Sequence, residues 1–417
     1  MDIISQLGDD LLLQILSCVP TKDVLATSLL SKRWRSLWKL VPQLEYDDRN
    51  HIGDYKIFSP YVYRSLISNK APVLEYLHLK LGRDCPAIDI SLWIDIALSR
   101  RVRELEIVIR SCHVRFYSLP SSVYTSETLE SLTLNNCVLL DVPVRVCLPS
   151  LKSLSLKLVD YVGNASLPRL LSGCPNLHVL FVQRYAEDAT MDSTVVVPSL
   201  QRLTILDTNH ATCGRFEIDV PSLKYLNITE NVDYNSRQIE NMPELVEAHV
   251  EITCGVAHKF LRALTSVRRL SLSLSLSEVM QPSGMIFNQL VHLELNTYAQ
   301  VWWDLLTHML QDSPKLQTLK LINKLSSGGL GQRNPNVWKP PSTVPECLLC
   351  SLEVFEWNEY QGRQGDREIA TYVLKSAACL KRATFSPKST DVGKKYQMLK
   401  ELTSVATSST SFQLLFD

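Results

Sequence analysis

Apolar residues return along most of the chain with a six-residue spacing in which the first, fourth and sixth positions are apolar and the others vary. The first copy, residues 74–79, reads LEYLHL. Thirteen copies occur, starting at Leu74, Val102, Leu129, Leu151, Leu177, Leu200, Leu223, Leu245, Val267, Leu290, Leu316, Leu352 and Leu380. Successive starts lie 22 to 28 residues apart, apart from one gap of 36. This period predicts a stacked array, because so small a unit cannot bury its apolar face alone.

The same spacing predicts that each unit contains a short β-strand. In a strand the fourth and sixth positions share a face, whereas a helix scatters them over a wide arc. The apolar side chains then stack on those of the next unit, and the third and fifth positions form the open surface. Helical patterning at 90–98 and 302–310 predicts short helices on the convex side. We therefore predict an α/β fold, with a leucine-rich-repeat solenoid of parallel short strands over residues 70–325.

Composition limits the classes of function. The 417 residues are 45% hydrophobic and 21% charged, which suffices for a long stacked core. Lys+Arg and Asp+Glu both total 43, so no overall field attracts nucleic acid or an anionic membrane. The chain has no apolar run of about 18 residues, and its first residues, with Asp2, Asp9 and Asp10, are unlike a secretory signal. We expect an intracellular protein, in the nucleus or cytoplasm, that binds neither nucleic acid nor membrane.

Signs of catalysis are weak. Cys347 and Cys350 form a lone C-x-x-C without the further ligands of a zinc site, so packing against the last repeats is the simpler reading. No glycine-rich phosphate loop or nucleophile motif occurs. The eleven cysteines are expected to be reduced thiols. Four histidines at variable positions of the repeat, expected at its surface, are His78, His178, His249 and His292. We predict no catalytic residue, metal ion or cofactor.

Residues 1–45 predict an all-helical module instead of a repeat. Asp9 and Asp10 are expected to begin a first helix that Pro20 ends, and Thr21 is expected to cap a second helix. A third helix is predicted over residues 31–38. A module of about 40 residues is near the size at which a core of its own rarely suffices. We therefore expect part of its apolar surface to dock on another protein.

Residues 4–24, ISQLGDDLLLQILSCVPTKDV, and 26–38, ATSLLSKRWRSLW, resemble the plant F-box. Where this chain has Gly8, the family usually has proline, in a loop that enters a groove of a Skp-type adaptor; glycine leaves that loop less ordered by about 1 kcal/mol. The resemblance implies an adaptor-binding surface, part of which must also be the module's own core. Its positions are Leu7, Gly8, Leu11, Leu12, Ile15, Leu16, Pro20, Leu29, Trp34, Leu37 and Trp38.

Residues 344–417 resemble the FBD domain, through VPECLLCSLE at 344–353, FEW at 355–357 and FQLLFD at 412–417. Residues 326–343, rich in glycine and proline, are predicted to be a linker or exposed loop before it. The last two copies of the repeat spacing lie inside this domain. It could bind a partner or cap the exposed edge of the stack. Taken together, the chain resembles plant F-box/FBD/leucine-rich-repeat proteins.

The outward strand positions change character along the array. The first unit has Tyr76 with His78, the second has two glutamates, and the next two have small polar residues. Units five to nine instead combine aromatic residues with arginine, which are favoured at the centres of interfaces. We predict a target-binding patch there, or else loops that cover its first two residues. Its members are Val179, Phe181, Arg202, Tyr225, His249 and Arg269.

The F-box resemblance implies the substrate-recognition subunit of an SCF-type ubiquitin ligase. Its F-box would hold a Skp-type adaptor and, through it, cullin, while the repeats bind the protein to be modified. Such a chain positions its target and does no bond chemistry itself. Two alternatives stay open: a leucine-rich-repeat scaffold or inhibitor without ligase activity, and a repeat surface that is completed by a small molecule.

Overall fold

A computed structural model describes residues 4–51, 55–82, 85–110, 116–184, 193–206, 216–230, 238–239, 242–252, 258–274, 285–296, 302–323, 338–405 and 412–416. The chain forms two compact units. The first is Met1–Leu200 with Arg215–Val220, and the second is Gln201–Gly214 with Pro221–Asp417. Residues 326–337 of the predicted linker lie outside the described residues, and residues 338–343 are described. No helix among the described residues is both long and apolar enough to cross a membrane.

Helices occupy the amino-terminal segment and several connections between repeats. They are α1 (Asp9–Ser17), α2 (Thr21–Thr27), α3 (Lys32–Leu37), α4 (Tyr55–Ser68), α5 (Ala87–Ser99), α6 (Ser166–Ser172), α7 (His258–Ala263), α8 (Trp302–Gln311), α9 (Glu346–Cys350), α10 (Gln364–Ser376) and α11 (Val392–Thr403). Short 3₁₀ turns form at Ile4–Gln6, Trp38–Leu40, Asp48–His51 and Ser121–Thr125. Helices α5 and α8 confirm the helical patterning at 90–98 and 302–310.

Strands recur at the predicted copies of the repeat. They are β1 (Gln43–Asp47), β2 (Tyr76–Leu81), β3 (Glu104–Ile109), β4 (Tyr117–Ser118), β5 (Ser131–Asn135), β6 (Val138–Leu140), β7 (Ser153–Lys157), β8 (Asp160–Tyr161), β9 (Val179–Gln183), β10 (Ser193–Val196), β11 (Arg202–Leu206), β12 (Phe216–Asp219), β13 (Tyr225–Glu230), β14 (Gln238–Ile239), β15 (Glu247–Ile252), β16 (Arg269–Leu274), β17 (His292–Asn296), β18 (Thr318–Ile322), β19 (Val354–Tyr360), β20 (Arg382–Pro387) and β21 (Gln413–Phe416).

In the first unit, β1, β2, β3, β5, β7 and β9 pair in parallel in that order. The third positions of successive repeats lie in register: Gln43, Tyr76, Glu104, Ser131, Ser153 and Val179. Some connecting segments form further short parallel strands rather than helices, with β6 between β4 and β8 and with β12 beside β10. The prediction of short helices in the segments that connect successive repeats is therefore correct for only some of these segments in the first unit.

In the second unit, β11, β13 and β15 to β21 pair in parallel in that order, with the third positions of their repeats in register. The aligned third positions are Arg202, Tyr225, Glu247, Arg269, His292, Thr318, Val354, Arg382 and Gln413. Strands β19 and β20 come from the last two copies of the repeat spacing. The carboxyl-terminal domain therefore extends the repeat sheet, because it presents the same alternation of apolar and variable residues.

The apolar positions of the repeat form the core of each unit. Leu77 and Leu79 in β2, like Leu293 in β17, are fully or almost fully buried. Near the carboxyl end aromatic rings replace leucine, and the Phe355 and Phe385 ring centroids lie 5.5 Å apart in an edge-to-face contact. Burying a side chain of this size contributes about 1.5–3 kcal/mol to the free energy of folding. The sum of these contributions stabilises the stack of repeats. The α/β repeat fold predicted from the spacing is confirmed.

Strand β1 precedes the first predicted copy of the repeat. Its residues Leu44 and Tyr46, with Val41 before them, have the same spacing and are buried. The prediction of an all-helical module over residues 1–45 missed this copy, because β1 begins inside that range at Gln43. The Thr21 hydroxyl accepts the Glu45 N–H at 2.7 Å. The first turn of α2 thus covers the open edge of β1, so the helical module caps the sheet.

Candidate adaptor and target surfaces

The helical module has a core that uses five of the predicted adaptor-binding positions. Those five are Leu12, Leu16, Trp34, Leu37 and Trp38, which pack together with Val24 and Val41. All are buried in the free chain. Their side chains hold the three helices together, so their direct contribution is to the fold of the module. Charged substitutions at Leu16 or Trp34 would disrupt this core and could not report on adaptor contact alone.

The remaining predicted positions lie toward solvent. Leu11 and Ile15 are exposed one turn apart on α1, and Leu29 is 86% exposed after α2. Gly8 and Pro20 are exposed, while Leu7 is half-buried against the core. Exposed apolar side chains grouped on one small module mark a protein interaction surface.

Three exposed apolar residues of the module, Ile4, Leu30 and Leu40, were missed by the sequence reasoning. Ile4 and Leu30 present more than half of their surface to solvent. Leu30 directly follows Leu29, and the pair LL before a Ser-Lys-Arg sequence was a signal that both could face outward. Ile4 and Leu30 enlarge the apolar surface around the ends of α1 and α2.

Arg33 organises the loop that contains Gly8. Its guanidinium donates from Nε and Nη2 to Asp9 Oδ1 at 2.8 and 2.6 Å, and from Nη2 to the Leu7 carbonyl at 2.5 Å. The Gly8 carbonyl accepts the Leu12 N–H at 3.1 Å as α1 begins. The loop is therefore held from α3 and α1, and Arg33 is a functional candidate that the sequence reasoning did not single out.

A polar network connects β1 with the first repeats. Lys80 Nζ lies 2.7 Å from Glu45 Oε1, and the Tyr76 hydroxyl donates to Glu106 Oε2 at 3.0 Å. The Nδ1 atom of His78 lies 3.5 Å from Glu106 Oε2 and 3.9 Å from Glu45 Oε1. These contacts join three neighbouring strands, so the end of the helical module and the first two repeats are linked through side chains as well as through the sheet.

His78 corrects the expectation that histidines at variable positions lie at the surface. It is only 6% exposed, because neighbouring side chains cover its ring. Burial lowers the pKa of His78, and the nearby Glu106 carboxylate offsets part of that effect. The ring of Tyr76 contacts it edge-on at a centroid distance of 5.8 Å. The position of His78 in the repeat predicted that its side chain leaves the leucine core, but it did not predict that neighbouring side chains would bury the ring.

Asp47 anchors the end of β1. Its carboxylate accepts hydrogen bonds from Arg49 at 2.9 Å and from Arg110 at 2.8 Å. Arg110 also bonds the Asp48 carboxylate and the Lys80 carbonyl. Burial by itself would raise the pKa of Asp47, but the hydrogen bonds from Arg49 and Arg110 outweigh it and hold that pKa well below its usual range.

The second unit brings three of the predicted target-binding residues together. The Arg202 guanidinium stacks over the Tyr225 ring at 4.0 Å, and the Tyr225 and His249 ring centroids lie 5.6 Å apart. His249 Nε2 lies 2.8 Å from Glu247 Oε1. Arg269 is exposed and stands in register with Glu247 on the next strand. An arginine stacked on tyrosine keeps its N–H donors available at the ring's edge.

Val179 and Phe181 belong to the first unit. Both are half-buried, and Lys157 Nζ lies 5.3 Å from the centroid of the Phe181 ring. Phe181 is therefore partly covered by neighbouring side chains. It is neither fully open nor fully covered, so neither of the two sequence-based alternatives describes it completely. The prediction that these residues bind a target stays a prediction.

Charged side chains continue the face of the second unit beyond the predicted patch. Glu294 accepts from Ser271 at 3.0 Å and pairs with Lys320 Nζ at 2.8 Å. Burial would raise the pKa of Glu294, but Lys320 and Ser271 lower it overall. These residues occupy the fifth position of their repeats, as His249 does. The patch predicted from the sequence does not include them, because it was defined by aromatic residues and arginine.

The cysteines follow two different patterns. Cys347 is buried and lies 3.2 Å from the Leu310 carbonyl at the end of α8, and burial raises its pKa to about 12, whereas Cys350 is exposed. No group of metal-ligating side chains occurs among the described residues. Cys137 is disulfide-bonded. The expectation of uniformly reduced thiols is wrong there, because pairing depends on which loops meet in space.

Comparison with protein families divides the chain into three parts. The F-box domain model matches residues 4–45, the model of the leucine-rich repeats of the FBD-associated F-box protein At5g56370 matches 90–249, and the FBD model matches 339–385. These matches agree with the sheet, which runs from the F-box through the repeats within the first unit and from the repeats into the FBD within the second.

Curated relatives match over the whole length. The chain is 69% identical to the F-box/FBD/LRR-repeat protein At4g26340 of Arabidopsis thaliana over 419 residues, with 100% of both chains covered. It is 50% identical to the putative F-box/FBD/LRR-repeat protein At4g26350 of the same plant, covering 100% of this chain and 99% of the relative. The identity, the coverage and the order of the three domains show that the chain belongs to the plant F-box/FBD/leucine-rich-repeat family.

Proposed function

We propose that the chain is the substrate-recognition subunit of an SCF-type ubiquitin ligase. Its F-box docks on a Skp-type adaptor, which connects it to cullin, and its repeats bind the protein to be modified. One observation carries the proposal: the F-box has a complete core of its own and still exposes Leu11, Ile15 and Leu29. Apolar side chains that the fold does not need are available for a partner.

The mode of action is positioning. A target held near a ubiquitin-conjugating enzyme reacts at a high effective concentration, provided that the receptor keeps the two at a productive distance. The Thr21–Glu45 hydrogen bond and the Glu45–Lys80 ion pair join the F-box to the first repeats, which supports such a role. The chain itself carries out no bond chemistry and works inside the cell.

The target-binding surface lies on the outward strand positions. In the second unit, Arg202 and Tyr225 form a stacked pair beside His249, with Arg269 two strands beyond Tyr225. In the first unit, Val179 and Phe181 are the corresponding candidates. Arginine and tyrosine together supply apolar area and hydrogen-bond donors, which suits the recognition of a protein surface.

Affinity capture from plant extract tests the proposal. The wild-type chain should recover a Skp-type adaptor and cullin, and Ile15→Asp with Leu29→Asp should lose both, because a charge would enter an apolar interface. Val144→Asp is the matched control, since Val144 is also 86% exposed but lies in the repeats. If the wild-type chain recovers neither protein, the scaffold or inhibitor alternative is favoured instead.

Target capture needs a separate arm. Replacing Phe181, Arg202 and Tyr225 together by alanine should abolish the recovery of proteins that accumulate on the chain when the proteasome is blocked. Adaptor recovery should be unchanged in the same sample. If these proteins are still recovered at the wild-type level, the assigned surface is wrong.

A further inference from the structure

An open groove of about 470 Å³ lies between the F-box and helix α4, beyond the segment that the F-box model matches. Leu25 and Trp38 contribute the F-box side. Ile57, Pro60 and Tyr61 contribute the α4 side. Ile57 is 59% exposed and Pro60 is exposed as well, so the groove opens to solvent along α4.

The dimensions of the groove fit a helix of another protein. Its α4 wall extends from Ile57 to Ser68, which at 1.5 Å per residue is about 17 Å, or three helical turns. The wall residues recur at intervals of three and four, so they form one face of α4. An amphipathic helix laid in a groove of this kind buries its apolar face against such a stripe.

Charge limits the chemistry of the occupant. The two charged residues of the groove are Lys56 and Arg64, and both are exposed. Between positions 55 and 70 the sequence contains three basic residues and no acidic one. A helix with acidic side chains beside its apolar face is therefore complementary to the groove.

The far side of Tyr61 has the opposite character. A second, polar cavity of about 260 Å³ is lined there by three carboxylates, Asp23, Glu45 and Asp47, and by one cation, Lys22. Burial raises the pKa of Tyr61 to about 12, and the nearby Asp23 carboxylate adds to that rise. The acidic side of an occupant must therefore face Lys56 and Arg64.

We propose that the adaptor-binding surface extends past the F-box onto this groove, which takes an acidic, amphipathic helix of the Skp-type adaptor. This inference rests on the proposed function. Trp38 belongs both to the F-box core and to the groove. A helix seated there contacts the F-box and α4 at once, so α4 contributes to adaptor affinity although it lies outside the F-box.

Titration of the full chain with a purified Skp-type adaptor tests the inference. The double variant Lys56→Glu with Arg64→Glu should weaken binding roughly tenfold at low salt, and its salt dependence should be shallower than that of the wild type. Lys70→Glu, an exposed lysine just after α4 and outside the groove, is the matched control and should bind as the wild type.

A second pair of variants tests the apolar part. Ile57→Ser should weaken adaptor binding, whereas Ile67→Ser, on the same helix and 70% exposed but outside the groove, should not. If the double charge variant and Ile57→Ser both bind as the wild type while Leu29→Asp does not, the groove proposal is wrong and the proposed function stands. If the wild-type chain does not bind the adaptor, both fail.

Discussion

Replacing Gly8 by proline should strengthen adaptor binding, because the backbone at this position already suits proline. Gly8 has φ −62° and ψ 155°, and proline holds φ near −65°. A Cβ atom built on Gly8 meets no atom within 4 Å. The Gly8 carbonyl, which accepts the Leu12 N–H, is kept by proline. The substitution thus restricts the loop at a position where the backbone angles and the space for a Cβ atom both suit proline.

The size of the effect follows from the freedom that is removed. A proline at a compatible position is worth about 0.4–1 kcal/mol, which corresponds to a roughly two- to fivefold change in an equilibrium constant. Arg33 already holds the neighbouring Leu7 carbonyl, so part of this freedom is lost before binding. We therefore expect a gain of about twofold in adaptor affinity.

The assay is a titration of a purified Skp-type adaptor with the wild-type chain, Gly8→Ala and Gly8→Pro. Alanine should fall between the other two, because it adds a Cβ atom without closing a ring. Gly163→Ala is the control, since a Cβ there also meets no atom within 4 Å and Gly163 lies in the repeats. Weaker adaptor binding by a folded Gly8→Pro chain would refute the reasoning.

Three further predictions concern the supports of the F-box and of β1. Arg33→Ala should lower adaptor affinity about fivefold in the same titration, because a charge-assisted hydrogen bond to the loop is lost; unchanged affinity would contradict this. Because the folded pKa of Asp47 lies below its ordinary value, its stabilisation is present above about pH 4 and is lost as the pH falls further. Unfolding curves measured from pH 6 downward should show this loss in the wild type but less of it in Arg110→Ala. Tyr46→Phe should cost about 0.5–1.5 kcal/mol in denaturant unfolding, because the 2.6 Å hydrogen bond to Ser65 is lost; no change in midpoint would be the contrary result.

The strands of the repeats could be predicted because their signal is local. Leu77 and Leu79 alternate with variable residues, and any alternation of this kind places one set of side chains on one face of a strand. The register between neighbouring repeats then follows from matching the buried sets, since a slip of one residue would turn them outward. Strand β1 was not predicted, although Val41, Leu44 and Tyr46 have the same spacing, because the helical module was expected to extend to residue 45.

The roles of the F-box residues could not be divided in the same way. Leu11, Leu12, Ile15 and Leu16 are all apolar and share the spacing of a helix face, yet the structure buries Leu12 and Leu16 and exposes the other two. A helix with apolar residues over a wide arc does not identify the side on which its own core lies. The position of α3, which brings Trp34 against α1, makes that choice.

The sequence by itself determined the period, the strands and the order of the three domains, because each depends on residues close together in the chain. The tertiary structure alone decided which contacts join distant segments. It placed Thr21 against the edge of β1, covered His78, stacked Arg202 on Tyr225 and opened a groove beside α4. Burial and pairing at these positions depend on neighbours 20 or more residues away, and no local pattern records which of those neighbours come together.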